Sequence, residues 1–71
     1  MDFSENNSFL SENSELQTYK SLIDAEIELI QRVFEIRQNF SNSERLVEPI
    51  LRRIRKIRSE KSLLEKNLNL I

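Results

Sequence analysis

Five bases crowd into seven residues, Arg52, Arg53, Arg55, Lys56 and Arg58, the densest concentration of a single chemistry in the chain. Cationic groups at this spacing can follow a run of phosphates, neutralising them and releasing condensed counterions. Arg52, Arg55, Lys56 and Ser59 fall on the side of a helix away from its apolar seam, so contacts there leave a core undisturbed. No aromatic, glycine or asparagine platform accompanies the run, so base readout is not expected. The competing use is a solvated helix exterior that pairs with acids on a neighbouring protein. Other chemistries are scarce. Cysteine and histidine are absent, which removes disulfides, thiol nucleophiles, the usual zinc sites and the easiest general base near neutral pH. Carboxylates, Lys, Arg and Tyr19 remain, with no catalytic spacing among them. The chain is read as noncatalytic, with no cofactor, metal or small-molecule substrate.

The basic run lies on a heptad seam. Val47, Ile50, Ile54, Ile57, Leu64, Leu68 and Ile71 alternate by three and four, interrupted only by Lys61. A second helix is therefore expected over about 49–69. Pro49 cannot donate a backbone hydrogen bond, which predicts a short leading turn over 42–47 and a kink or break at Glu48.

Upstream, Ser14 followed by Gln17 fits a capping box, so a first helix is expected over about 15–39. Its apolar residues form two adjacent stripes. Leu16, Tyr19, Ile23, Ile27, Ile30 and Phe34 make one; Leu22, Leu29, Val33, Ile36 and Phe40 make the other. Together they exceed the ~100° arc of an ordinary surface helix, so one neighbour cannot cover both. The second stripe is expected to meet a partner, making Leu22, Leu29, Val33, Ile36 and Phe40, with the seam residues Ile50, Ile54, Ile57, Leu64 and Leu68, the candidate protein interface. Phe40-Ser41-Asn42-Ser43 is the one cluster of turn formers between the helices, and Ser41 with Glu44 offers another capping box. Residues 1–13 are rich in Ser, Asn and acid and read as a disordered acidic tail, with Phe3, Phe9 and Leu10 as its apolar exceptions.

The fold class that follows is all-α, an antiparallel two-helix hairpin of coiled-coil type over 14–71. The absence of glycine argues against sheet hairpins. Charge divides along the chain: residues 1–43 hold eight acids against three bases, a net of −5, and residues 44–71 hold eight bases against four acids, a net of +4. That asymmetry biases the helices toward an antiparallel pair. A turn about Ser41 and Asn42 would set Lys61 near Glu26 and Arg37 beside Glu48, two cross-helix pairs that fix one alignment. A two-helix hairpin of 71 residues buries little surface, so completion by dimerisation or by docking on a partner is expected. No apolar run exceeds two residues and no signal peptide is evident, which predicts a cytoplasmic protein with no membrane contact, or a nuclear one if the source has a nucleus.

The stretch from Leu22-Ile23-Asp24 to Leu29-Ile30 and Arg32 resembles the first helix of the all-helical chorismate mutases. Such a resemblance implies a small dimeric enzyme holding a dicarboxylate with arginines and a lysine. The match departs at the residues that chemistry needs. Ile27 stands where a second aspartate is expected, no arginine precedes Ile23 at the matching place, and neither a lysine-bearing loop nor a third helix follows. Two functional expectations remain: a noncatalytic accessory subunit of a larger, nucleic-acid-processing assembly, or a homodimeric helical bundle that binds nucleic acid through its basic helix. The latter is comparable in architecture, not in motif, to plasmid-encoded RNA-binding hairpin dimers.

Overall fold

The computed structural model describes residues 3–70, with side chains described from residue 13 onward. Two helices, α1 (Phe3–Asn39) and α2 (Ser43–Asn67), fold back on one another as an antiparallel hairpin. Partners across the pair run in reverse order, Tyr19 with Glu65, Glu26 with Lys61, and Arg37 with Glu44. The side chains of Phe3, Phe9 and Leu10 lie outside the described residues, as do Met1, Asp2 and Ile71.

The helix ends show which local signals prevailed. α1 starts at Phe3 rather than at Glu15, so the backbone of residues 3–13, expected to be irregular, is helical. No glycine or proline upstream of Ser14 stops a helix. Ser14 is then an interior residue with no terminus to cap, and its carbonyl accepts a hydrogen bond from Thr18 Oγ1 at 3.0 Å. At the other end, Asn39 Nδ2 donates to the Glu35 carbonyl at 2.9 Å and Phe40 N–H to the Ile36 carbonyl at 3.0 Å, which satisfies carbonyls that a helix end leaves open.

α2 begins at Ser43 and runs unbroken through Pro49, which corrects the expected break at Glu48. The missing donor leaves the Arg45 carbonyl unpaired within the helix. Pro49 and Arg45 are both exposed, so water can reach that face. On the opposite face Val47, with 0% exposure, anchors the first turns against α1. The Ser41–Glu44 box does not form, because the N-cap is Asn42, which makes no side-chain cap hydrogen bond. Glu44 reaches back to Arg37 instead, while its position in the first turn still complements the helix dipole. α2 ends in a Schellman motif: Leu70 N–H bonds the Glu65 carbonyl at 2.9 Å and Asn69 N–H the Lys66 carbonyl at 3.2 Å. Asn69 takes the left-handed position with φ 59°. In a chain without glycine, asparagine is the residue best suited to it.

The core is one side chain deep. Val33, Val47, Ile54 and Ile57 are buried; Leu29, Ile36, Ile50 and Leu51 pack half-buried around the central cluster. The two stripes of α1 are thereby assigned opposite to expectation. Leu29, Val33 and Ile36 face α2, whereas Ile27, Ile30 and Phe34 face outward. Both stripes have helical spacing, and at ~100° per residue their centres stand only about 110° apart. The polar residues decide between them. With Glu26 anchored on α2, the stripe on the far side of Glu26 cannot also reach α2.

Candidate functional site

Three residues mark the boundary between the stripes. Tyr19, Glu26 and Arg37 share one edge of α1, and each crosses to α2. Tyr19 Oη donates to Glu65 Oε2 at 2.6 Å. Glu26 Oε1 accepts from Lys61 Nζ at 2.6 Å and its Oε2 from Arg58 Nε at 2.7 Å. Arg37 Nε lies 3.2 Å from Glu44 Oε1. The Glu26–Lys61 pair is the cross-helix pair that the alignment predicted. Arg37 meets Glu44 rather than Glu48, because α2 is helical from Ser43 and brings Glu44 level with it one turn early.

Glu26 is the buried charge of the hairpin, with 8% of its surface exposed. The hydrogen bonds from Lys61 and Arg58 hold its carboxyl below its ordinary pKa, outweighing the opposing effect of burial. Tyr19 is shifted the other way. Its hydrogen bond to Glu65, with burial and the charge of that carboxylate, holds the phenol above its ordinary value. Among the described residues no cluster of Asp or Glu could hold a metal ion, and no helix is long and apolar enough to cross a membrane.

The basic run is partly occupied within the chain. Arg52 Nε and an Arg55 terminal nitrogen lie 3.3 and 3.6 Å from Glu48 Oε1, and Arg58 turns back to Glu26. Arg53 and Lys56 are exposed and make no ion pair among the described residues. The face remains positive, with the Glu48 carboxylate set between two of its arginines. Surface pairs of this kind contribute little to stability, so Arg52 and Arg55 are free to exchange partners.

Beyond the polar edge lies the outer stripe. Leu16, Ile27, Ile30 and Phe34 keep between 44 and 62% of their surface exposed. With the half-buried Ile23 they follow a three-four alternation, Leu16, Lys20, Ile23, Ile27, Ile30, Phe34, in which Lys20 alone is polar. This is a second heptad seam, on α1, with no helix against it. Exposed apolar side chains that follow one another along a single helix face mark an interaction surface rather than scattered background. Of the interface candidates, Leu29, Val33, Ile36, Ile50, Ile54 and Ile57 are spent inside the hairpin, with Leu22, Leu64 and Leu68 half-buried beside them. Phe40 is exposed at the turn, where with Leu46 and Arg45 it lines a shallow groove of about 490 Å³. The free seam was visible in the sequence as the first stripe. Its exposure was not, because period alone does not say which stripe faces inward.

No protein-family model, curated protein or solved structure matches this chain.

Proposed function

We propose that the chain is a noncatalytic helical assembly subunit, which works by offering the outer seam of α1 to another helix. The observation that carries this reading is the exposed alternation Leu16, Ile23, Ile27, Ile30, Phe34 on the back of a hairpin whose own core holds only four buried apolar residues among those described. A seam of that spacing is the surface into which a second helix packs knobs into holes. Ile27→Asp puts a charge in the middle of it without touching the inner core. Affinity isolation from the native source with the wild-type chain and with Ile27→Asp tests the reading. Companions retained by the wild type and lost by the variant support it; an identical set from both sinks it.

A second use rests on the basic face of α2, where Arg53 and Lys56 make no ion pair among the described residues and Arg52 and Arg55 hold only an exposed carboxylate. In that reading the assembled subunit lies along nucleic acid and reads charge, not sequence. Affinity for a mixed-sequence duplex would then fall steeply with salt. Replacing Arg52, Arg55 and Lys56 with Gln would flatten the slope by nearly three, about one per phosphate contact. No affinity even at low salt removes this second use and leaves the first untouched.

A further inference from the structure

We infer, building on the outer seam as a docking surface, that the helix covering it is α1 of a second copy of this chain, parallel and in register with the first. α2 has one apolar stripe and gives it to α1, so it has no continuous face left for a second hairpin; its exposed Leu46 and Leu63 stand towards opposite ends, Leu46 beside Phe40 at the turn. α1 alone carries two seams. Two copies therefore satisfy both outer seams with a single α1–α1 contact, leaving each α2 on the outside. In a parallel pair, identical residues meet in layers, and one polar position in such a seam selects register and a two-stranded state at some cost in stability. Lys20 is that position.

Charge favours the parallel orientation. The flank of α1 beyond the outer seam carries Asp24, on the side away from Tyr19, Glu26 and Arg37. In a parallel, in-register pair this flank of the second copy turns toward α2 of the first and runs antiparallel to it, as α1 does. Asp24 of the second copy then comes level with Arg58 and Lys61, two cations that share the single carboxylate of Glu26. That encounter joins opposite charges.

Sedimentation equilibrium of the purified full chain is the first test, with a mass of twice 8.5 kDa expected, falling toward the monomer on dilution. Ile27→Asp should give a monomer that keeps its helical circular dichroism. Lys20→Ile, which does not threaten the hairpin, should tighten the association at least tenfold, as a polar seam position replaced by an apolar one does. Because the chain has no cysteine, single variants report orientation directly. Leu16→Cys and Phe34→Cys should each form disulfide-linked dimers alone on mild oxidation. A monomer at every concentration overturns the inference, as does a dimer indifferent to Ile27→Asp. Cross-linking only in a mixture of Leu16→Cys with Phe34→Cys overturns the parallel arrangement. A monomeric chain that still captures other proteins through a seam sensitive to Ile27→Asp would defeat the second copy as occupant while the docking reading survives.

Discussion

Glu26 is the residue on which the alignment of the hairpin turns. A carboxylate this buried is tolerated because two cations meet it, one on each oxygen. Lys61 is mostly covered, but Arg58 is 61% exposed and can turn to water if the acid is removed. The loss in Glu26→Gln is therefore on the scale of charge-assisted hydrogen bonds, about 2 kcal/mol near neutral pH, rather than that of a fully buried ion pair. The sign of its pH dependence follows from the lowered pKa. Above the ordinary carboxylate range Glu26 is charged whether folded or not, and its contribution is complete. As pH falls through that range the unfolded chain takes up the proton first, and the contribution declines until folded Glu26 is protonated too. Urea denaturation of wild type and Glu26→Gln across acid pH should show the two midpoints converging. Tyr19 gives a second readout at this scale, since it is the chain's only tyrosine and there is no tryptophan. Its absorbance titration should lie above that of the unfolded chain, and Glu65→Ala should bring it back down.

At the scale of the element, α2 is held at its start by its seam and not by its N-cap. The N-cap makes no side-chain bond, Pro49 removes a donor, and yet the helix is continuous because Val47, Ile54 and Ile57 are pinned against α1. Ile54→Ala or Ile57→Ala should cost about 2–4 kcal/mol in the assembled species, as large-to-small changes in a core do. Ser59→Ala, on the exposed face, should cost little. Chemical denaturation of the three variants under one set of conditions checks this, and equal losses at Ile54 and Ser59 would mean that the seam is not what holds α2.

For the whole molecule the decisive contrast is between the two stripes of α1. Leu29→Asp places a charge beside Val33 and Ile54 and should unfold the hairpin, seen as loss of helical circular dichroism. Ile27→Asp, two residues away, should leave the hairpin helical and remove only its association. Size-exclusion and circular dichroism on the same samples separate these outcomes. A helical Leu29→Asp chain would mean that the stripes are assigned the wrong way round.

Much of this architecture is legible in the sequence because it depends on local chemistry. The turn formers around Ser41 and Asn42, the seam from Val47 to Leu68, and Glu26 opposite Lys61 follow from spacing and from the reversal that a short turn imposes. So does the surplus of apolar surface on α1. Which of its stripes is buried could not be read locally, because both have the same period and similar residues. Glu26 settles it by binding Arg58 and Lys61 on one side of α2, which turns Leu29, Val33 and Ile36 inward and leaves Ile27, Ile30 and Phe34 outside. The continuity of α2 through Pro49 is likewise a tertiary result. A single missing hydrogen bond on a solvated face weighs less than the packing of Val47 and Ile50 on the other, and only the folded pair shows which face the proline is on.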